Sequence, residues 1–515
     1  MKKIFLLIYF YISLIFSVLS QNIKGYVFEK NTKSTLIGVN LYWLNTTQGT
    51  TTDEKGFFSL QKNNISQKLV VSFLGFKNDT LLIEKDTTLQ FFLENESILK
   101  EITIKDKKNI DTEPLKTELL TTKDLKKAAC CNLSESFETN ASVDVTITDA
   151  VTGGKQLKLL GLDGTYSQIM VENMPNIRGL ASRSGLHLIS GAAIKSIEIN
   201  KGAGSVVNGY ESMTGQINVE LAKPENSEKL YLNGFINPFG RWELNANTAL
   251  KINEKWSTAF LTHTSHLQNA IDQNMDGYMD TPKFSQYNFL NPWKYSGENT
   301  EAQFGFRYVN DQKVGGQSEH NHQTHQNQLL YGAGGKINLY EAWAKIGFIS
   351  PRVENRSVGI ILNARHHQQN SFFGKNNYDA FQNYLQGQVI YQTHIKQKHI
   401  LRTGVSFVMD NYDEIWQQQI PENQEIIRKR YEKVVGAYAE FTWKPTEKFT
   451  LIQGIRTDYH NLFGAFLLPR THLKYAFGDK TILRASAGRG FRVANPMIEQ
   501  SGFLASSRKV IWNNN

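Results

Sequence analysis

Alternation of apolar and polar residues dominates the second half of the chain. Between 302 and 308, Ala302, Phe304, Phe306 and Tyr308 share one face, with Gln303, Gly305 and Arg307 on the other. Between 385 and 395, Leu385, Val389, Tyr391 and Ile395 alternate with Gln386, Gln388, Gln392 and His394, and residues 435–443 and 483–487 repeat the pattern. A period of two over runs this long predicts strands with one apolar and one polar face. A soluble sandwich is the alternative, but its strands are usually shorter; a membrane barrel with lipid outside and a wet or plugged lumen demands this length. The connections alternate as well. Tight turns are expected at 253–255, 297–300, 397–398, 446–448 and 478–480, and long polar loops near 268–283, 311–335 and 417–430. Short turns belong on the periplasmic side and long loops outside. Residues 224–515 then hold about thirteen strands, at roughly 22 residues per strand with its loop share.

The first half reads differently. Residues 21–97 carry short strand-like runs at 23–28, 39–44, 57–60, 69–74 and 89–93, separated by turn-rich segments, which predicts a small β-sandwich. From about 105 to 223 the pattern is mixed α/β, with a helix-like opening at 122–129 and 133–137 followed by glycine-punctuated strands. At the start, Lys2 and Lys3 precede an apolar run over 4–19, and Ser17, Ser20 and Gln21 supply a cleavage region. That is the layout of a signal peptide over residues 1–20, with a membrane anchor as the alternative. No later apolar run is long enough for a helical span, so a membrane position requires a β-barrel.

Composition narrows the classes. The chain has 515 residues, 57 Lys+Arg against 48 Asp+Glu, a formal charge of +9 and two cysteines. With 40% hydrophobic and 11% aromatic residues it is too apolar for disorder. Two cysteines exclude a disulfide scaffold. The positive charge is spread without a Lys/Arg block or nucleic-acid motif, which argues against a nucleic-acid partner. No G-x-S-x-G, H-E-x-x-H or Cys/His nucleophile arrangement is present, so no catalytic residues are assigned and an enzyme is not expected.

Three stretches carry a family resemblance. GVNLYWLNTTQGTTTDEKGFFSL (38–60) and VVSFLGF (70–76) resemble the carboxypeptidase-regulatory-like domain found at the front of Bacteroidetes receptors, which implies no peptidase activity. IKSIEINKGAGSVVNGYESMTGQINVEL (194–221) resembles the plug of TonB-dependent outer-membrane receptors, with Gly202, Gly204, Gly209 and Gly215 allowing positive φ or close backbone approach. IMVENMPNIRG (169–179) takes the place of the family's Asp-Gly turn, with Glu172 and Asn173 where Asp and Gly are commoner. LRASAGRGFRVANPMIEQ (483–500) resembles a family motif that lies well inside the barrel, and the chain finishes in WNNN without a terminal aromatic strand. The resemblance therefore implies a mainly β chain: a sandwich (21–97), a TonB-box-like segment (98–107), a small α/β plug (108–223) and an incomplete antiparallel barrel (224–515). The complete barrel has about 22 strands, so close to 200 residues are expected to be absent by C-terminal truncation.

The implied function is energy-coupled import of a scarce nutrient across the outer membrane of a Gram-negative bacterium. The implied partners are a TonB-ExbB-ExbD complex, outer-membrane lipid and the imported ligand. Glu101, Ile102, Thr103 and Ile104, within LKEITIKDK (99–107), resemble the TonB box, and an extended strand of this kind can be gripped by β-augmentation. An ordinary linker strand is the alternative.

No cofactor is required, but bound transition metal or calcium is compatible with three clusters. EHNHQTHQ (319–326) sets His320, His322 and His325 in an outer loop, with His366 and His367, and His263 and His266, toward the outer ends of other strands. Neutral imidazoles suit copper, zinc or nickel; a solvated polar loop is the alternative. Cys130 and Cys131 could form a vicinal disulfide, bind a soft metal or stay free. DQNMDGYMD (272–280) offers Asp272, Asn274, Asp276 and Asp280 as a calcium-like loop, but Lys283 stands where an EF-hand needs Glu. The preferred cargo is a copper-like metal ion or complex; a siderophore, cobalamin or glycan receptor, a passive porin and an adhesin are the rivals.

Overall fold

The computed structural model describes residues 22–30, 33–44, 46, 48–62, 68–73, 78–83, 88–93, 117–121, 124–125, 132–137, 140, 142–149, 151–319, 330–350, 355–396, 398–419, 423–478, 481–506 and 508–511. The signal-peptide reading of residues 1–20 therefore falls outside the described residues.

The chain divides into two units, residues 1–100 and 101–515. The first holds β1 (Asn22–Glu29), β2 (Asn40–Trp43), β3 (Gly49–Thr51), β4 (Phe57–Gln61), β5 (Lys68–Ser72), β6 (Asp79–Leu82) and β7 (Leu89–Leu93). They form sheets of order β4-β1-β7 and β3-β2-β5-β6. In β1 the alternation turns Ile23 and Val27 inward, where they join Leu41, Trp43, Phe58, Leu69 and Phe91 in one core between the sheets. The Trp43 indole N–H, which burial would otherwise leave unsatisfied, donates to the Gln61 carbonyl at 2.9 Å.

The second unit opens with β8 (Thr117–Thr121), β9 (Val143–Asp149), β10 (Gly154–Leu159), β11 (Leu162–Asp163), β12 (Ser167–Val171), β13 (Met174–Ile177), β14 (Ile194–Lys201) and β15 (Gly215–Leu221). A five-stranded sheet of order β13-β12-β15-β14-β8 is its frame, with β12 and β15 parallel. Of the helix-like opening, residues 124–125 are helical, the rest of 122–129 lies outside the described residues, and only the 133–137 part is corrected. Residues 135–137 make only a 3-10 turn, because Asn132 Oδ1 takes the Ser134 N–H at 3.0 Å and diverts the backbone from a continuing helix.

Thirteen strands follow: β16 (Leu230–Ile236), β17 (Trp242–Lys251), β18 (Trp256–Leu267), β19 (Lys283–Ser296), β20 (Thr300–Gly316), β21 (Gly332–Ile349), β22 (Arg356–Phe373), β23 (Asn376–Ile395), β24 (His399–Gln418), β25 (Gln424–Thr446), β26 (Phe449–His460), β27 (Gly464–Gly478) and β28 (Thr481–Gly488). Each pairs with its chain neighbours in one sheet, and β16 and β28 are its two edges, so the described strands form an open wall of a barrel. Two expected long loops are shorter than the polar composition suggested. β20 runs to Gly316 and β21 starts at Gly332, and β24 and β25 are joined by only 419–423. Strands there continue beyond the apolar band with polar residues on both faces, which periodicity alone reads as loop.

The wall is inverted relative to a soluble protein. Val389 is 42% exposed and Val435 58%, whereas Gln386 and Gln388 are 6% exposed. Apolar side chains point outward to lipid and polar ones inward, against the preceding eight-strand domain. Outward aromatics gather at the strand ends. Trp256 contacts Tyr295 at 4.9 Å near the periplasmic side, and Trp242 stacks on His266 at 4.4 Å near the other. Such belts suit the two membrane interfaces. Val389→Arg, on the lipid face, is expected to lower stability by about 2–4 kcal/mol if its height is near the bilayer midplane. Denaturant unfolding from lipid bilayers checks this.

Candidate functional site

The site is the interface between the inner domain and the wall. Its first element is the two-residue turn between β12 and β13. Glu172 and Asn173 have φ of 55° and 62°, the left-handed conformations that a tight hairpin turn needs and that Asp-Gly adopts more easily. Each non-glycine residue there costs roughly 1 kcal/mol or more, and bonding offsets it. The Glu172 carboxylate, 3% exposed, accepts the Leu221 N–H at 2.8 Å and pairs with Lys223 and with Lys345 of β21, the latter at 2.8 Å. Burial by itself would raise this carboxyl, but the two ammonium groups outweigh it and hold it well below the ordinary carboxylate range.

A second contact is centred on Arg178. Its guanidinium bridges Glu211 of the inner domain and Asp410 of β24, both at 3.1 Å. Further round, Arg307 and Glu341 pair at 2.8 Å, and Asn176 donates to the same carboxylate at 3.0 Å. Ser205 donates to Glu440 at 2.6 Å, while Arg470 donates to the Ser205 carbonyl at 2.9 Å. The inner domain is thus attached by charge-assisted bonds that can be exchanged as well as by packing.

Gly202 and Gly209 sit at φ of 84° and 109°. At Gly204 and Gly215 the requirement is space: a Cβ would lie 2.0 Å from the Gln216 side chain and 2.4 Å from the Asn200 carbonyl oxygen, respectively. Gly204→Val is therefore expected to destabilise the inner domain by a few kcal/mol through overpacking, read as increased protease sensitivity of residues 117–221 with the barrel intact.

At the outer rim, a Cβ on Gly315 would meet the Val151 carbonyl oxygen at 2.0 Å, and the His187 ring lies 3.2 Å from the Gly153 carbonyl. Burial, then Lys313 and Lys155, push the His187 imidazole well below its ordinary value and keep it neutral. The chain leaves this rim at Gly316 and returns at Gly332.

The expected metal residues divide. His320, His322 and His325, Cys130 and Cys131, and the TonB-box-like Glu101, Ile102, Thr103 and Ile104 lie outside the described residues. Asn132, which follows the cysteine pair, bridges to Ser190, and Glu135 lies 3.6 Å from Arg241 at the outer turn after β16. His366 and His367 do not act together. His367 is buried on the lumen face, whereas His366 faces outward beside Tyr340 and Phe381, because neighbours in a strand point to opposite sides. His263 (lumen) and His266 (outward) divide in the same way.

The calcium-like loop is internally hydrogen-bonded. Asp272 accepts the N–H groups of Asp276 and Gly277, Asp276 accepts that of Tyr278, and Asp280 that of Gln273. Asn274 donates to Asp276. These carboxylates brace a turn around Gly277. Among the described residues no group of three or more His, Cys, Asp or Glu is gathered as a metal site.

Sequence reasoning missed Glu172 as an anchor, and Arg178, Asp410 and Glu440. For Asp410 and Glu440 the signal was present: charged residues at mid-strand positions of the polar face, where a water-filled lumen would have accepted uncharged ones; Glu172 and Arg178 lie between strands and carried no such signal.

A domain held by polar contacts against the inner face of a membrane-facing β-wall defines a plugged outer-membrane barrel. The comparisons agree. Residues 226–514 match the TonB-dependent receptor-like β-barrel, 109–216 the TonB-dependent receptor plug domain, and 23–113 the CarboxypepD_reg-like domain. The chain belongs to the TonB-dependent receptor family, whose members are receptors of the outer membrane and not enzymes. Among curated relatives, the heme transporter BhuA of Brucella ovis is 28% identical over 142 residues, 27% of this chain and 20% of that protein. Among solved structures, Pseudomonas aeruginosa FpvA bound to heterologous pyoverdines superposes with a TM-score of 0.60 at 12% identity, covering 72% of this chain and 56% of that one. The copper transporter OprC superposes at 0.56 and 15% identity, covering 72% and 63%. The chain thus spans about a fifth of that curated relative's length and under two thirds of these two structures.

Proposed function

We propose that this protein imports a scarce nutrient through the outer membrane, driven by a TonB-ExbB-ExbD complex that pulls on residues 101–104. The observation that carries this reading is the plug itself. A domain bonded to the wall through Glu172, Arg178 and Ser205 obstructs passive flow, so passage requires work on it. A passive porin or adhesin has no use for such a plug.

The preferred cargo is a metal ion or metal complex, copper first. Three histidines within 320–325, an adjacent cysteine pair and the buried neutral His187 at the outer rim support it, because imidazole nitrogen and thiolate sulfur suit copper. A second reading, uptake of an iron complex, is favoured by the resemblance to a protein described as a heme transporter and to one bound to an iron pyoverdine. Cobalamin and glycan have no observation in their favour.

The test compares wild type with a His320/His322/His325→Ala variant for copper-limited growth and for copper and zinc binding at the cell surface. The variant is expected to lose about tenfold or more in copper affinity, as removal of ligands to a borderline metal does. Equal binding by both proteins overturns the copper reading, and heme- or siderophore-dependent growth then supports the second.

A further inference from the structure

We infer that the periplasmic rim of the wall carries a docking surface for anionic phospholipid, formed by three neighbouring hairpin turns between β21 and β26. The inference goes beyond the import reading and does not depend on the cargo.

Short turns mark the periplasmic end of the wall. The three in question are 350–355 between β21 and β22, 396–398 between β23 and β24, and 447–448 between β25 and β26. They adjoin because β22 pairs with β23 and β24 with β25. Direct bonds also join them: the His394 N–H donates to the Asn355 carbonyl at 3.1 Å, and the Lys444 N–H donates to His399 Nδ1 at 3.1 Å. The turns therefore make one continuous strip of the rim.

Charge along the rim is uneven. In this strip Arg356, Lys396, Lys398 and Lys448 are exposed, and Glu447 is the one exposed acid among its described residues. The positions outside the described residues add Arg352 and Glu354, one charge of each sign. Among the described residues, none of the four exposed cations is in an ion pair. The sector from β17 to β20 differs. There Lys251, Lys255 and Lys294 are matched by Glu225, Glu254 and Glu298, and Lys294 pairs with Glu225 at 2.8 Å. The excess positive charge thus belongs to one side of the rim.

What borders the strip identifies its partner. Tyr391, Ile395 and Trp443 are exposed at the same strand ends, and the Trp443 and Phe449 rings meet edge-on with centroids 5.6 Å apart. In the chain Lys396 follows Ile395, and Lys448 precedes Phe449. The cations are therefore continuous with the lipid-facing surface and stand where it ends, at the level of the headgroups. Their aliphatic stems can lie over apolar surface while the charged heads reach a phosphate. An anionic phospholipid supplies both halves of this complement: acyl chains against Ile395 and Trp443, and a negative headgroup against cations that lack a partner in the protein. A zwitterionic headgroup brings its own ammonium, which cancels much of the attraction. An acidic soluble protein would leave the apolar margin uncovered.

The experiment uses the whole receptor reconstituted in vesicles of phosphatidylethanolamine and phosphatidylglycerol. Quenching of tryptophan emission by brominated phosphatidylglycerol, relative to brominated phosphatidylethanolamine, gives the preference between the two lipids. The difference between each protein and its Trp443→Phe counterpart isolates the signal at the strip. A cation close to an anionic bilayer surface is worth about fivefold in affinity. Wild type is therefore expected to prefer phosphatidylglycerol at Trp443 by about fivefold or more, and a Lys396→Gln/Lys398→Gln/Lys448→Gln variant to lose most of that preference. A Lys251→Gln/Lys255→Gln variant, changed at a periplasmic turn of the balanced sector, is expected to keep it. No preference in wild type, an equal loss in both variants, or a preference that survives the triple substitution overturns the site. Inorganic phosphate, added in place of chloride at constant ionic strength, separates the sources of the anion. Displacement of the brominated lipid by phosphate beyond that by chloride would mean that the strip takes a free anion, and it overturns the lipid assignment.

Discussion

Glu172→Ala is expected to destabilise the plug against the wall by about 3–5 kcal/mol, the cost of removing one member of a buried ion pair. The side chain is 3% exposed and is the shared partner of Lys223 and Lys345, so alanine removes the carboxylate that sits between two ammonium groups. It also removes the acceptor for the Leu221 N–H while keeping the left-handed backbone that the turn requires. Glu172→Gln keeps the shape and the acceptor but not the charge, and should recover only part of the loss. Denaturant titration of the purified receptor, read by protease sensitivity of the plug, measures both. The pH dependence supplies an independent check. Because the Glu172 carboxyl is held below its unfolded-state value, its stabilisation is fully present above that value and is lost as pH falls toward the folded one. Wild type should weaken progressively below about pH 5, and Glu172→Gln should lack that part of the slope. A variant with wild-type plug stability at neutral pH would refute the anchor role.

Deleting residues 99–105 is expected to reduce uncoupler-sensitive uptake to the passive background while leaving ligand binding at the cell surface unchanged. The deleted stretch precedes β8 in the chain, and among the described residues β8 is an edge strand of the plug sheet, paired to β14 over Thr117–Thr121. Tension on the chain ahead of β8 acts first on that ladder. It acts next on Glu118, whose carboxylate takes hydrogen bonds from Asn140 and Ser142 and faces Lys201 at 3.6 Å. Edge strands present unpaired backbone groups and are the natural place for a sheet to yield. Without the pulled segment this sequence of losses does not start. Radioactive or isotopic copper uptake with and without uncoupler reads the effect, and full uptake by the deletion variant would support a passive pore instead.

Much of the wall was legible from local pattern. The alternation at 385–395 assigns Leu385 and Val389 to one face and Gln386 and Gln388 to the other, and the structure keeps that division. The glycines of 202–215 were legible for the same reason: a positive φ, or a site where a Cβ would come within 2.0–2.4 Å of a neighbouring segment, excludes other residues. Which of the histidine candidates share a face was not. Three histidines close together suggest a ligand set whatever their surroundings, but His366 and His367 show that adjacency in a strand separates side chains. The carboxylates of 272–280 look like a calcium loop in sequence, and in the structure they also accept backbone N–H groups of that loop.

What the sequence by itself determined is everything that depends on a repeat of two and on the residue types at turns: strands with one apolar face, their approximate number, and a lipid-facing exterior. The hydrophobic effect acts on each residue where it stands, so these features survive without knowledge of the partner surfaces. Only the tertiary structure decided which polar residues are functional contacts. Arg178 finds Asp410 across 232 positions of chain, and Glu172 finds Lys345 across 173. Such pairings depend on the register of thirteen strands and the seating of the plug within them. An ion pair is worth little until burial removes water from around it, and burial on the polar face of this wall is conferred by the plug and by the segment after β28 that packs against it.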